Sequence, residues 1–419
     1  MSTCILTTYY NPTASKIFLN NFNIFLEYIH NLNLSEHLYV CEISNNKETE
    51  LKNIQNHYFV NSNTILWHKE TAINFLLKKI PEKYTKVIVM DNDILIDNLN
   101  WFRETEELLN DYIVVQPYEY IKYIGPENYI IDTIESSILS NNKHYISNPG
   151  LCVAYKKEYL DSVGGLFDLA IVGGGDTINM IPFMSNENIT LNIFDRVCLD
   201  HRIYILDYIR RCKDYISTTK LNHATYLSGS VATHLYHGLK INRHYGDRYN
   251  LIKDINFIDF FRKNNFGFYD ILDKDYCLLK QQEIKNFFYS RQNTIDSSKP
   301  LIINTNKYSV DNNILWLSST NLLTFQNIDY IEIVFGLTKQ LKYIQMIMNN
   351  KLIEFNFENN FFVLKFDRPE KLIVTAEPFV PAESESSLDK RKLTMFISDI
   401  KIRARNSEET IKYNLAEVV

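Results

Sequence analysis

The stretch Lys86-Val-Ile-Val-Met-Asp-Asn-Asp-Ile-Leu-Ile-Asp97 limits the fold more than any other part of the chain. Val87 to Met90 is an apolar, largely β-branched run without polar alternation, the pattern of a strand covered on both faces in a parallel sheet. The run stops at Asp91-Asn92-Asp93. In an open α/β sheet, ligands bind beyond the carboxyl ends of the strands. Carboxylates leave water only when paired or bound to a cation. One reading is therefore a divalent metal site; the other is a plain turn, since Asp and Asn are common turn residues.

Strand and helix patterns alternate around this stretch. Cys4 to Thr8 reads as a first strand, and Phe18, Phe22, Phe25 and Ile29 share one face of a helix behind Thr13 as N-cap. Leu38 to Ile43 and His57 to Val60 are further strand candidates, and Phe75, Leu76 and Ile80 mark a helix stopped by Pro81. This is the order of an open α/β sheet built from βαβ units. Helices are expected over Trp101–Leu109, 132–142, 156–162, 177–184, 201–213, 257–263 and 280–289, and strands over 112–115 and 151–155. Five of the 12 glycines fall between Gly164 and Gly175, in Gly164-Gly165-Leu-Phe-Asp168 and Gly173-Gly-Gly-Asp176. Such clustering in a glycine-poor chain marks close backbone approach or unusual dihedrals. From Pro300 onward about seven short strands are expected, at 301–303, 314–317, 330–335, 352–357, 361–366, 372–375 and 393–402. They suggest a β-sandwich. The division is 1–265 as an α/β domain, 266–299 as a helical linker and 300–419 as the sandwich.

A length of 419 residues accommodates two or three domains. The net charge of -6 gives no basis for a nucleic-acid surface. Six cysteines without a C-x-x-C pair argue against a zinc site and a disulfide scaffold, and fit a reducing, cytoplasmic setting. Met1-Ser-Thr-Cys-Ile-Leu6 has no basic segment leading into an apolar core, so no signal peptide is expected, and no stretch suggests a membrane span. The Tyr/Phe-rich β-region is a candidate homodimer contact.

Three groups of residues could carry chemistry. Asp91, Asp93 and His237 form a mixed oxygen and nitrogen ligand set suited to Mn²⁺, with Mg²⁺ as the alternative. Lys69, Lys240, Arg243 and Arg248 could meet a diphosphate, or could be a solvated basic surface. His234 and His244 are open to ligation or to local hydrogen bonding. Asp176 could accept a hydroxyl proton or cap a helix, and Trp67 and Tyr9 could wall a base or sugar pocket or sit in the core. The chain has no Gly-x-Gly-x-x-Gly after its first strand, no Walker A loop, no Gly-x-Ser-x-Gly and no His-Glu-x-x-His.

Taken in order, four pieces resemble the GT-A superfamily of metal-dependent, nucleotide-sugar glycosyltransferases. They are Leu66-Trp67-x-Lys69-Glu70 with its helix, Asp91-Asn92-Asp93, the glycine motif ending in Asp176, and His237-Gly238-x-Lys240 with Arg243 and Arg248. The overall style is similar to transferases encoded by giant DNA viruses, and the C-terminal strands look like a β-sandwich, jelly-roll-like tail. The resemblance covers residues 1–260 and implies a Rossmann-like nucleotide-diphospho-sugar transferase domain. It implies a UDP-sugar donor, a glycan or protein acceptor, and Mn²⁺ held by Asp91, Asp93 and His237. It places Thr8, Tyr9, Asn92 and Trp67 toward the nucleoside, Lys69 and the basic set toward the diphosphate, and Asp176 as base of an inverting reaction. The glycine motif departs from the family in ending Asp176-Thr177 rather than Glu-Asp. The competing readings are a catalytically degenerate glycan-binding or particle-assembly protein and, further off, a nucleotidyltransferase. A viral origin would place the protein in host cytoplasm or virion.

Overall fold

The computed structural model describes residues 2–290 except 46–47, 126–129, 141–147, 186–196, 239–247 and 273–274, and the strands between 301 and 413. The chain divides into two compact units. One comprises Met1–Ile124, Asp132–His237 and His244–Arg291; the other comprises Gly125–Ile131, Gly238–Arg243 and Gln292–Val419.

The first unit is a mixed α/β fold on a seven-stranded sheet. Its strands are β1 (Thr3–Tyr10), β2 (Leu38–Ser44), β3 (Asn56–Asn61), β4 (Lys86–Met90), β6 (Tyr112–Gln116), β9 (Cys152–Lys156) and β10 (Asn222–Tyr226). They lie in the order β10-β6-β9-β4-β1-β2-β3. β1 pairs in parallel with both β2 and β4, whereas β9 runs antiparallel between β4 and β6. The chain leaves β1 through helix α1 (Lys16–Asn31) to β2 and β3, then returns through α2 (Lys69–Leu77) to β4 on the other side of β1. The strand order therefore reverses between β1 and β4. That is a topological switch point, where the crevice beyond the strand ends receives ligands in α/β sheets.

The unbroken apolar character of β4 follows from two cores, one on each face of the sheet. Cys4, Leu6, Val87, Val89, Val153 and Tyr155 face one of them. Ile5, Tyr9, Ile88, Met90, Cys152 and Ala154 face the other, with Phe22, Phe25 and Ile29 of α1 packed over them. Each buried aliphatic side chain here contributes about 1.5–3 kcal/mol by leaving water, and period-2 alternation is absent because neither face is wet.

A second, four-stranded sheet has the order β5-β11-β7-β8, with β5 (Ile94–Ile96), β7 (Tyr120–Ile124), β8 (Ile130–Glu135) and β11 (Val231–His234). β8 corrects the helix expected over 132–142. Ile130, Ile131 and Ile134 imitate a helical face, but the β-branched density of the segment suits a strand. Likewise, only Phe257–Phe260 of the helix expected over 257–263 is helical. Phe261–Lys263 instead pairs antiparallel with Tyr269–Ile271, across a turn in which Gly267 takes φ +86°. Helix α6 (Leu199–Thr218) extends the expected one in both directions; α3 (Trp101–Leu108), α4 (Lys157–Val163) and α5 (Gly175–Met180) fall close to their expected places.

The second unit carries two largely antiparallel sheets. One has the order Leu301–Asn304, Thr320–Phe325, Lys371–Ala376, Ile344–Met348, Lys351–Leu352. The other has the order Tyr308–Asp311, Ile314–Leu317, Met395–Ala404, Ile328–Leu337, Phe361–Asp367, with Ile411–Tyr413 added against Met395–Ala404. Of the helical linker expected over 266–299, Tyr269–Ile271 is a strand, Asp275–Ser290 is a helix, and 291–299 lies outside the described residues. No described helix is long and apolar enough to cross a membrane.

Candidate metal centre

Asp91, Asn92 and Asp93 sit at the switch point because β4 ends there and β5 starts three residues later. The Asp91 amide donates to the Leu151 carbonyl at 2.6 Å, and the Ile94 amide donates to the Asp91 carbonyl at 3.3 Å. Asn92 reaches across to β1, its Nδ2 donating to the Thr8 carbonyl at 2.7 Å. Two expected site residues, Thr8 and Asn92, are thus in contact across the crevice.

The histidines arrive through the second sheet. β11 runs antiparallel to β5 in a register that sets His234 opposite Ile94. The Leu235 amide donates to the Asp93 carbonyl at 2.8 Å, and the Asp97 carboxylate takes the Val231 amide at 2.8 Å at the other end of the ladder. This brings His237 Nε2 to 3.0 Å and His234 Nε2 to 3.8 Å from Asp93 Oδ2. The two imidazoles stack at 5.0 Å, with Tyr123 against His234 at 4.9 Å and Phe18 against His237 at 5.2 Å. Ring packing on both sides fixes the planes of the histidines.

Asp93, His234 and His237 are the one group among the described residues whose donor atoms could hold a metal ion, all within 4.8 Å of one another. Two donors bound at about 2.1 Å to one ion lie about 3 Å apart at right angles and at most about 4.2 Å apart. The Asp93–His237 and Asp93–His234 separations fit those limits. The residues present therefore fit a divalent ion, with one carboxylate and two imidazoles.

Asp91 has a different partner. Its Oδ1 lies 2.5 Å from Lys69 Nζ, with the lysine side chain 14% and the aspartate side chain 28% exposed. Lys69 opens α2, and the amide of Trp67 before it donates to the Ile171 carbonyl at 2.7 Å. His68 turns the other way, into the core, with Nε2 3.2 Å from Ser62 Oγ; burial lowers its pKa to about 4. Burial would lower the Lys69 pKa, but the neighbouring carboxylates, Asp91 foremost and then Asp176, outweigh it and keep the ammonium protonated. Burial pushes the Asp91 carboxyl up, Lys69 opposes this, and Asp93 adds to the rise.

Glu70 is the residue that sequence reasoning missed. It is 3% exposed, and burial, opposed by Lys69 and reinforced by Asp176, pushes its pKa up to about 8. Its carboxyl fills the place of the side chain that Gly175 lacks, since a Cβ on Gly175 would lie 2.5 Å from Glu70 Cδ. In the sequence it stood only as the last residue of the Leu66-Trp67-x-Lys69-Glu70 piece, with no role of its own, and an acid in the first turn of a helix suits the helix dipole equally well on the surface.

Each glycine of the Gly173-Gly174-Gly175 motif answers to a different neighbour. Gly173 and Gly174 both have φ +96°; Arg248 and the ring of Trp67 lie against the first, and Tyr249 and Arg248 against the second. Asp176 follows as the second residue of α5. Its Oδ1 accepts from the Thr177 amide at 2.8 Å, and Oδ2 lies 2.8 Å from where a Cβ of Gly150 would stand. Trp67, Glu70, Arg248 and Asp176 are thereby gathered around one glycine turn. Tyr9 is placed in the core instead, 2% exposed, with its ring 5.0 Å from Phe22 and its hydroxyl donating to Glu50 at 2.7 Å. Lys240 and Arg243 lie outside the described residues.

No protein-family model matches the chain, and no curated protein matches it. Among solved structures, it is similar to the catalytic domain of Drosophila beta1,4galactosyltransferase 7 in complex with xylobiose, at 10% identity and a TM-score of 0.27, covering 55% of this chain and 66% of that one. A putative nucleotide-diphospho-sugar transferase from Desulfovibrio desulfuricans matches at 12% identity and a TM-score of 0.26, covering 70% of this chain and 99% of that one. A putative glucose-1-phosphate thymidylyltransferase from Bacillus anthracis matches at 10% identity and a TM-score of 0.29, covering 61% and 96%. The similarity is distant.

Proposed function

We propose that this chain is a metal-dependent glycosyltransferase of the GT-A kind. In this reading it moves a sugar from a UDP-sugar, with Mn²⁺ (or Mg²⁺), to a hydroxyl of a glycan or protein acceptor, with inversion at the anomeric carbon. The observation that carries the reading is the meeting of Asp93, His234 and His237 at the β1/β4 switch point, beside the Lys69–Asp91 pair. Asp93, His234 and His237 would hold a divalent ion there, which would supply positive charge against the leaving diphosphate.

The remaining roles fall to the chain's own residues. Lys69 and Arg248, with Lys240 and Arg243, offset the charge of the departing diphosphate. Thr8, Asn92 and Trp67 line the nucleoside side, with Tyr9 behind them holding Glu50. Asp176, its carboxylate oriented by the Thr177 amide and by contact with Gly150, accepts the acceptor hydroxyl's proton. The catalytic domain spans 1–265, followed by a helical linker over 266–299 and a β-sandwich over 300–419.

The test is release of nucleoside diphosphate from a panel of nucleotide-sugars with Mn²⁺ and candidate glycans. Turnover with at least one donor is expected, falling by about 1,000-fold or more in Asp93→Asn and His237→Ala. Neither binding nor turnover across the full panel overturns the reading.

A further inference from the structure

We infer that the buried pair Gln116 and Tyr118 is a positioning device, which acts through a strained turn at Asn148–Leu151 to fix where the Asp176 carboxylate stands. The inference rests on the transferase reading, in which Asp176 takes the acceptor's proton, and assigns residues that lie outside the site described above.

The turn leads into β9, and its backbone is unusual. Asn148 has φ +48° and Leu151 has φ +69°. Asparagine tolerates the left-handed region, but a leucine is strained there. The Cys152 amide donates back to the Gly150 carbonyl at 2.9 Å, closing a γ-turn of the rarer, strained hand around Leu151. Such a conformation persists only where its surroundings over-determine it.

Those surroundings come from the end of β6 and its link to β7. Gln116 Nε2 donates to the Asn148 carbonyl and to the Tyr118 hydroxyl, both at 3.1 Å, and Gln116 Oε1 accepts from the Ile138 amide at 2.9 Å. The Tyr118 hydroxyl lies 3.2 Å from the Asn148 carbonyl and 3.3 Å from the Gly150 carbonyl. Gln116 and Tyr118 are fully buried, and burial pushes the tyrosine pKa well up, so its hydroxyl stays a donor. From β7, the Tyr123 hydroxyl donates to Asn148 Oδ1 at 2.5 Å.

The turn touches both halves of the site. On the sheet side, the Leu151 carbonyl accepts from the Asp91 amide at 2.6 Å, and Met90 pairs with Cys152 in the β4–β9 ladder. On the other side, the three atoms nearest to a Cβ on Gly150 all belong to Asp176, with Oδ2 at 2.8 Å. The bare Cα of Gly150 is thus the slot against which the carboxylate rests, and Tyr118 holds that slot in register with the end of β4. A reacting group misplaced by about 1 Å costs about 100-fold in rate, which gives the strain at Leu151 a use.

The experiment measures transfer by the full chain with a donor that the panel identifies, and donor affinity by calorimetry with that donor alone. Tyr118→Phe is expected to lower kcat by about tenfold or more and Gly150→Ala by about 100-fold or more, with donor affinity within about twofold of the unmodified protein. In an Asp176→Ala background the same two changes lower kcat by less than about twofold, because the group that they displace is absent. Equal losses in both backgrounds, or a donor affinity that falls with kcat, mark a merely structural role and overturn the inference while the transferase reading stands. Where Asp176→Ala leaves no turnover to compare, urea unfolding decides: Gly150→Ala destabilises the unmodified chain and not the Asp176→Ala chain, and equal destabilisation overturns the inference. Gly150 is not among the glycines with positive φ, so Gly150→Ala keeps the test open even where Tyr118→Phe does not fold. Neither binding nor turnover of any donor by the unmodified protein overturns the inference together with the transferase reading.

Discussion

Among single residues, Glu70 makes the sharpest statement about pH. Its carboxyl is held neutral by burial, with a folded pKa of about 8 against an ordinary value of 4.5. For a group raised in this way, the stabilising contribution is complete below pH 4.5. It declines as the pH climbs toward 8, because the unfolded chain ionises first and the folded one must follow. Glu70→Gln keeps the shape and abolishes the ionisation. The substitution is expected to be close to neutral in stability at pH 4.5 and to stabilise by about 1–3 kcal/mol at pH 8, measured by urea unfolding across that range. A difference that does not grow with pH would show Glu70 to be charged in the folded protein. Residue chemistry was unevenly visible in the sequence. Asp91-Asn92-Asp93 stood out because an apolar run ended on it, and His237 because Gly238 and Lys240 followed it. Glu70 had no such individual signal: an acid beside a lysine at a helix start is ordinary, and its burial against Gly175 brings together positions more than a hundred apart.

At the level of elements, the glycine turn before α5 couples backbone strain to packing, and the two can be separated. Gly174 and Gly229 both hold positive φ, at +96° and +74°, but a Cβ on Gly174 would meet Tyr249 and Arg248, whereas one on Gly229 would meet nothing within 4 Å. Gly229→Ala is expected to cost about 1–2 kcal/mol, the backbone contribution alone. Gly174→Ala should cost more, about 2–4 kcal/mol, because Tyr249 must also move. Equal losses in chemical denaturation would mean that Tyr249 yields freely. The clustering of glycines was readable in advance; their individual neighbours were not, since Arg248 and Tyr249 lie more than seventy positions downstream in sequence. The short strands were hidden for another reason. β5 and β11 have three and four residues, too few to display period-2 alternation, and Val231-Ala-Thr-His234 merged into a histidine-rich and basic stretch. The pairing that assembles the candidate metal centre therefore had no local signature.

For the molecule as a whole, ion binding at the candidate centre would be linked to stability. An ion that binds the folded first unit and not the unfolded chain adds about 2.7 kcal/mol when present at 100 times its dissociation constant. Thermal unfolding with Co²⁺ or Mn²⁺ is accordingly expected to shift upward and to fall back on chelation, and His237→Ala should remove the shift. An unchanged midpoint at saturating Co²⁺ would separate the site from the folded state. The alternation of strands and helices in the first third, and the strand-rich last third, were both legible because long periodic segments dominate them. The order of the seven-stranded sheet was not: the antiparallel insertion of β9 between β4 and β6 depends on a chain return that local pattern does not encode. In the last third, Tyr308–Asp311, Thr320–Phe325, Ile344–Met348 and Ile411–Tyr413 were missed, because β-strand preference is set by cross-strand neighbours more than by the segment itself.

The ladder between β5 and β11 has three residue pairs, from Ile96–Ala232 to Ile94–His234, and joins positions 136 to 140 apart in the chain. So short a ladder closes a very large loop with little to spare, and loop entropy rises only slowly with length, so nearly all of that cost is met at closure. An ion spanning Asp93 and the histidines would work as a clasp on that loop, tying the end of the chain's first crossover region to a strand made much later in synthesis. Before that strand emerges from the ribosome, Asp93 has no histidine to meet. The Asp93–histidine cluster therefore cannot assemble until β11 has been made, and an ion bound there would report that the ladder is closed.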